Sequence, residues 1–427
     1  MDVTLSPRGQ GPALSAVTAP SSKSFVHRQL IAAALSEAPT EVFFRGFSQD
    51  IAASAACIQA LGGGCSLLPP GADGFGCLRV RPVRRGALPQ TPLLDAGESG
   101  STARFFLPVA AALYAADGAA DGFSLTGHGR LPQRPMGDLC RALRAHGCRV
   151  SADALPLQAV GPLCGGEWLL PGNVSSQYIT GLLLALPLLT QDSTLRLTTP
   201  PVSAAYLTIT LEVLAQFGVR VQPTENGWQI PGGQQYVSPG RLTAEGDWSN
   251  AAFWLAADAI VRAQGGPGVT VQGLRPDSVQ GDRAVTQAIA AITAPGDTVL
   301  DIDPIPDLMP VLAVLAAGQR KKTVFANAAR LRLKESDRLA ATCAALRALG
   351  GQADAGAASL TVTGTGALVG GTVDGAGDHR IVMAAAVASL LCRAPVTVCG
   401  AQAVEKSYPD FWDDWNAWQR GERAVKR

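Results

Sequence analysis

Short runs of β-branched and aromatic residues closed by a polar or glycine turn recur along the chain. They are Val42-Phe43-Phe44-Arg45-Gly46, Phe123-Ser124-Leu125-Thr126-Gly127, Leu195-Arg196-Leu197-Thr198, Val269-Thr270-Val271-Gln272-Gly273, Thr323-Val324-Phe325-Ala326-Asn327 and Val396-Thr397-Val398-Cys399-Gly400. Each reads as a strand. Between them lie longer segments with apolar residues at helical spacing. Several end on a glycine before the next strand, as at Ala60-Leu61-Gly62, Ala145-His146-Gly147, Gln216-Phe217-Gly218 and Ala348-Leu349-Gly350, where glycine supplies the left-handed cap. The pattern predicts an α/β fold in which one βαβ-containing unit is used six times. An equal division gives two domains of three units, with the break after the third, in the stretch from Pro239-Gly240 to Gly246-Asp247. The residues ahead of Pro20 are too few for a domain and are assigned to the second half. The expected domains are therefore 1–20 with 244–427, and an inserted 21–243, joined by two chain crossings that leave a cleft.

Composition narrows the partners. At 427 residues, 47% hydrophobic and only 16% charged, the chain can bury a large core. Thirty-five basic against thirty-four acidic residues leave a net charge of +1, which removes the global attraction that a nucleic acid or a membrane surface requires, so any anion site must be local. The longest apolar runs, Ile179 to Leu189 and Ile381 to Cys392, fall short of the roughly 18 residues of a membrane span. Residues 1 to 20 lack the basic start and apolar core of a secretory signal. Nine cysteines without a CxxC pair or Cys/His ligand spacing suit free thiols in a reducing compartment, and a cytoplasmic protein is expected.

Local anion sites are suggested where cations meet helix starts. Pro20-Ser21-Ser22-Lys23-Ser24 opens a helical pattern, with Ser22 or Ser24 as the cap, Lys23 beside free backbone N–H groups and Arg28 one turn on. A capped surface helix with solvated charges would show the same pattern. Gly97-Glu98-Ser99-Gly100-Ser101-Thr102-Ala103-Arg104 repeats the logic; it is not a Walker loop, since GxxxxGK[ST] is absent. Ser175-Ser176-Gln177 leads into a third apolar helix. In Arg330-Leu331-Arg332-Leu333-Lys334-Glu335-Ser336-Asp337-Arg338 an early helix start would set Lys334 and Arg338 on one face. Either an anion between them or neutralisation by Glu335 and Asp337 would relieve that repulsion. Asp378-His379-Arg380, Lys406 and Arg134, the last on the Pro-punctuated loop Arg130 to Pro135, complete the set. His379 has no second ligand at metal spacing, and no metal site is expected.

Taken in order, these motifs resemble the 5-enolpyruvylshikimate-3-phosphate synthase family from about Pro20 to Trp412, with Gln133-Arg134-Pro135 and Ile305-Pro306-Asp307 adding to those already quoted. The resemblance implies an inside-out α/β barrel in two domains, each of three βαβαββ-type units, with the active site in the cleft between them. It implies transfer of the enolpyruvyl group of phosphoenolpyruvate to the 5-hydroxyl of shikimate 3-phosphate through a tetrahedral intermediate. Phosphate is released, no cofactor is needed, and the enzyme is a monomer that glyphosate inhibits. Lys23, Ser24, Arg28, Ser175, Ser176, Gln177, Ser203, Tyr206, Asp307 and Lys334 would hold shikimate 3-phosphate. Lys23, Gly100, Arg104, Arg134, Gln177, Arg338, His379, Arg380 and Lys406 would hold phosphoenolpyruvate. Asp307, Glu335, Lys334 and Lys23 would be catalytic, with Glu335 the proton donor and Asp307 or Lys334 the acceptor. Ser21, Arg330 and Ala204-Ala205 depart from the usual motifs. The competing readings are the sister enzyme acting on UDP-N-acetylglucosamine, which carries a reactive cysteine in the loop that is Arg130 to Pro135 here, and a non-catalytic anion-binding paralogue. That loop has no cysteine, Cys140 lying beyond it.

Overall fold

A computed structural model of the chain describes residues 1–7, 16–69, 71, 74–118 and 121–421. They form two compact units, Lys23–Ala244 and Met1–Ser22 with Glu245–Arg427. The first holds α1 (Lys23–Leu35), α2 (Gln49–Ala60), α3 (Gly100–Ala116), α4 (Gly137–Ala145), α5 (Ser176–Ala185) and α6 (Ala205–Gln216). Its three four-stranded sheets share one topology. A central strand, Thr40–Phe44, Gly122–Thr126 or Ser193–Leu197, pairs in parallel with Arg241–Thr243, Leu93–Asp95 or Gly166–Leu170 respectively. On its other side it pairs antiparallel with Gly76–Arg81, Leu157–Val160 or Gly227–Ile230, the inner strand of a hairpin. Arg241–Thr243 is the last strand of the unit, so the chain completes its first sheet only as it leaves.

The second unit holds α7 (Trp248–Ala263), α8 (Val285–Thr293), α9 (Met309–Ala317), α10 (Arg338–Ala348), α11 (His379–Ala388) and α12 (Phe411–Arg420). The matching strands are Thr270–Gln272, Lys322–Ala326 and Val396–Cys399, each with a parallel neighbour, Ala16–Thr18, Thr298–Asp301 and Gly371–Asp374; the last two are also paired antiparallel on their other side, whereas among the described residues Thr270–Gln272 has its parallel neighbour alone. All six strand signals in the sequence thus mark the same position in successive repeats, the strand with a parallel neighbour, which is central in five of the six sheets. An odd-numbered helix precedes each such strand and an even-numbered one follows it. Glycines close α2, α4, α6 and α10 at φ of +88°, +98°, +71° and +80° for Gly62, Gly147, Gly218 and Gly350, a conformation costly for any residue with a Cβ.

The odd-numbered helices are apolar nearly all round, and α9 and α11 are buried at every position, whereas central strands such as Thr40–Phe44 bury alternate residues. Helices that are apolar on every face must sit inside. Each unit is therefore built with helices at its centre and sheets outside. Close helix contact needs small residues, and a methyl group on Gly181 of α5 would lie 2.4 Å from the carbonyl oxygen of Arg104 on α3. Around Trp254 of α7 the rings of Tyr408, Phe411, Trp415 and Trp418 hold the last helix in place. No helix among the described residues is long and apolar enough to cross a membrane.

Candidate active site

In the unit Lys23–Ala244 the predicted residues gather at the starts of the odd-numbered helices and on the loops leading to the even-numbered ones. The α1 helix begins at Lys23, with Ser22 just outside and Ser24 within its first turn. Lys23 Nζ donates to Asp50 Oδ2 at 2.6 Å, an acid on the first turn of α2 that the motif reading did not include. Arg28 turns inward. Its Nε donates to Thr210 Oγ1 at 2.8 Å, NH1 to the Ser24 carbonyl at 2.7 Å, and NH2 to Thr180 Oγ1 at 3.2 Å and the Tyr206 carbonyl at 3.1 Å. All are neutral acceptors, and burial draws its pKa down to about 9. Its guanidinium lies 5.0 Å from the centre of the Phe105 ring. Beside it His27 is kept neutral, because burial and the charges of Lys23 and Arg28 hold its pKa well below the usual histidine range.

Ser99 caps α3, accepting from the Thr102 N–H at 3.2 Å. A methyl group on Gly100 would stand 2.7 Å from NH1 of both Arg104 and Arg134, so two guanidinium groups converge on this bare helix start. Arg104 is buried, donating through NH1 to Gln177 Oε1 at 2.7 Å and through NH2 to the Pro135 carbonyl at 3.0 Å. Gln177 Nε2 donates to Ser101 Oγ at 3.0 Å, and Ser175 caps α5, accepting from the Gln177 N–H at 3.3 Å. Ser176 and Ser203 are buried, Ser203 at φ +53° just ahead of α6. The two groups, Lys23 with Arg28 and Arg104 with Arg134, are bridged by hydroxyls: His27 Nδ1 meets Ser54 Oγ at 2.7 Å, which meets Thr102 Oγ1 at 2.9 Å.

In the second unit Asp307, on the turn before α9, is the hub. Its Oδ1 accepts from Arg338 NH1 at 2.6 Å and Lys334 Nζ at 3.3 Å, while Oδ2 faces Arg380 NH2 at 3.3 Å. Burial alone would raise its pKa, but Arg380, Lys334 and Arg338 outweigh burial and hold the carboxyl well below the usual carboxylate range. Arg338 also donates through NH2 to Glu335 Oε2 at 2.7 Å and through Nε to Asp378 Oδ2 at 2.7 Å. Asp378 caps α11 by accepting from the Arg380 N–H at 2.9 Å. His379 is buried next to it, and Lys406 Nζ donates to the Gly377 carbonyl at 2.8 Å.

The early helix start that would align Lys334 with Arg338 does not occur. Lys334 and Arg338 do not share a helix face, because α10 starts at Arg338 with Asp337 as its cap and Lys334 is an extended residue just after the 3-10 turn Ala329–Leu333. They meet through Asp307, which lies 27 residues from Lys334 in sequence, a pairing that local spacing does not reveal. Asp337 pairs with Arg332 NH1 at 2.7 Å, so of the two neutralising acids only Glu335 pairs with Arg338. Asp50 and Asp378, missed as ion-pair partners, have a signal only in retrospect: each is an acid at a helix start. Cys140 is buried in α4, where burial pushes its thiol up to about 11. Among the described residues no group of three or more His, Cys, Asp or Glu could hold a metal ion.

A fold of two such triply repeated units, with cations at its helix starts, is that of the enolpyruvyl transferases. EPSP synthase of Acinetobacter baumannii superposes with a TM-score of 0.77 over 98% of both chains at 23% identity. The enolpyruvyl transferase NikO of Streptomyces tendae does so at 0.75, over 98% of this chain and 97% of its own, at 18% identity. In sequence, the profile of EPSP synthase (3-phosphoshikimate 1-carboxyvinyltransferase) matches residues 7–415. Relatives named 3-phosphoshikimate 1-carboxyvinyltransferase are 36% identical in Clostridium kluyveri, over 94% of each chain, and 37% identical in Halobacterium salinarum, over 97% of each. The chain belongs to the EPSP synthase family.

Proposed function

We propose that the protein transfers the enolpyruvyl group of phosphoenolpyruvate to the 5-hydroxyl of shikimate 3-phosphate and releases phosphate, the reaction that leads toward chorismate and the aromatic amino acids. The observation that carries this reading is the pairing of acids with cations at one place: Asp307 and Glu335 sit directly against Lys334, Arg338 and Arg380. A module that only bound anions would be better served without those carboxylates. Two polyanionic substrates repel each other strongly once water is excluded, and fixed guanidinium forks offset that repulsion.

In this reading each unit supplies half of one site. Ser24, Arg28, Ser175, Ser176, Gln177, Ser203 and Tyr206 hold shikimate 3-phosphate, with Asp307 and Lys334 at its ring hydroxyls. Arg28 suits a phosphate because its present partners are all neutral. Arg104 and Arg134 on Gly100, together with Lys23, Gln177, Arg338, His379, Arg380 and Lys406, receive phosphoenolpyruvate. Glu335 delivers the proton to the methylene carbon. Asp307 takes the hydroxyl proton, a weak base until bound anions offset the cations around it, with Lys334 beside it to share that role. Phosphate then leaves the tetrahedral adduct as the methylene proton returns to the enzyme. The protein is read as a monomer; its near-balanced net charge supports action on small molecules alone, without nucleic acid or membrane, and its free thiols support the cytoplasm.

Purified protein should release phosphate from phosphoenolpyruvate only when shikimate 3-phosphate is present. Release with UDP-N-acetylglucosamine instead would move the assignment to the sister reaction. The buried, unreactive Cys140 and a loop from Arg130 to Pro135 without cysteine speak against that outcome.

A further inference from the structure

The hydroxyl bridge between the starts of α1 and α3 runs through the interior of the unit Lys23–Ala244. His27 on α1, Ser54 on α2, Thr102 in the first turn of α3 and its cap Ser99 are all buried. Three hydrogen bonds join them in line: His27 Nδ1 with Ser54 Oγ at 2.7 Å, Ser54 Oγ with Thr102 Oγ1 at 2.9 Å, and Thr102 Oγ1 with Ser99 Oγ at 2.8 Å. The line ends where Gly100 faces the guanidinium groups of Arg104 and Arg134. No step of the proposed reaction uses these four polar residues.

Each bond needs one hydrogen, and the geometry assigns them. Ser99 Oγ is the acceptor of the last bond, so Thr102 donates there rather than to the Asp50 carbonyl, which is farther away at 3.5 Å. With the Thr102 hydrogen committed, Ser54 must donate to Thr102. The Ser54 oxygen is then an acceptor toward His27, whose ring must carry its hydrogen on Nδ1. The other ring nitrogen agrees. Nε2 is buried without a hydrogen-bond partner among the described residues, where an N–H would be an orphaned donor, and the charges of Lys23 and Arg28 that act on the ring favour a bare lone pair.

We propose that His27 is a positioning residue for phosphoenolpyruvate: its Nδ1–H begins a one-way chain, His27 to Ser54 to Thr102 to Ser99, that fixes the start of α3, and with it Arg104, against the helix that carries Lys23 and Arg28. The hydroxyls of Ser54 and Thr102 can each rotate, whereas the donor on the His27 ring is fixed, so the ring sets the direction in which they point. Every member is buried, and a broken link leaves a donor or an acceptor without a partner. The proposal rests on Arg104 binding phosphoenolpyruvate, as in the proposed function.

The test pairs nitrogen-15 NMR of the imidazole rings with steady-state kinetics. In the full chain without substrates, the His27 signals, identified by their loss in His27→Asn, should show a neutral ring protonated on Nδ1. A ring protonated on Nε2 overturns the proposal. Ser54→Ala should raise the KM for phosphoenolpyruvate about fivefold, as expected for one net hydrogen bond, and change kcat less. His27→Leu should do the same, and His27→Asn, whose side-chain N–H can donate to Ser54, should restore the wild-type KM. The double variant should be no worse than either single one, because both break the same chain. A lowered melting temperature with unchanged KM in Ser54→Ala would assign the chain to the core alone and overturn the proposal. If His27→Leu does not fold, the KM of Ser54→Ala decides. Failure of the wild type to release phosphate overturns the proposed function and with it the effect on KM, whereas the spectrum needs no substrate and tests the chain by itself.

Discussion

Arg338 shows how one residue can be both structural and electrostatic. Its guanidinium meets Asp307, Glu335 and Asp378 while almost fully buried, so removing it leaves three acids without their shared partner. Breaking such a buried pairing typically costs about 3–5 kcal/mol, and Arg338→Ala should show that loss in thermal denaturation besides losing activity. The depressed pKa of Asp307 carries a pH signature. A group whose folded pKa lies below its unfolded one stabilises the fold above the unfolded value, about 3.9, and that contribution disappears as the pH falls through the folded value. Acid unfolding curves of the wild type should therefore fall more steeply below about pH 4 than those of Asp307→Asn. At Gly100 a methyl group would displace the guanidinium groups of Arg104 and Arg134 together. Gly100→Ala should raise the KM for phosphoenolpyruvate and weaken glyphosate inhibition, and unchanged inhibition would remove both arginines from that ligand's site.

At the scale of elements, the odd-numbered helices bring the chemistry to their own starts because their other ends and faces are committed to the core. The contact of α5 with α3 sets the Arg104–Gln177 pair, and it depends on Gly181 lying against the Arg104 carbonyl. Gly181→Ala should push the two helices apart, at a cost of about 1–3 kcal/mol, and raise the KM for phosphoenolpyruvate more than it lowers kcat. A change in melting temperature with unaltered KM would show that the contact serves the core alone. The start of α10 carries a further lesson. The run Leu333 to Arg338 can be read as a helix with Lys334 and Arg338 aligned, but Asp337 accepts from the Ala340 N–H at 3.0 Å and fixes the first turn later. The cap outranks the periodicity, since it satisfies an N–H that otherwise has no partner.

For the whole molecule, the residues proposed to meet the two substrates come from both units, so binding of shikimate 3-phosphate should draw the chain together. Small-angle X-ray scattering should record a smaller radius of gyration with the ligand than without it, and unchanged scattering would remove closure from the mechanism. The repeated strand signals and glycine stops were legible from one end of the chain to the other, because a strand's side-chain alternation and a helix's left-handed stop are set by neighbours a few residues away. The basic motifs were legible for the same reason. What lay beyond the sequence was which acid answers which base. Asp307 with Lys334, Asp378 with Arg338 and Asp50 with Lys23 join residues far apart along the chain. Local order along the backbone determined the elements and the types of group they carry. Only the packing of buried helices decided the pairings, because Coulomb energy depends on distance and burial, and both exist only in the folded chain.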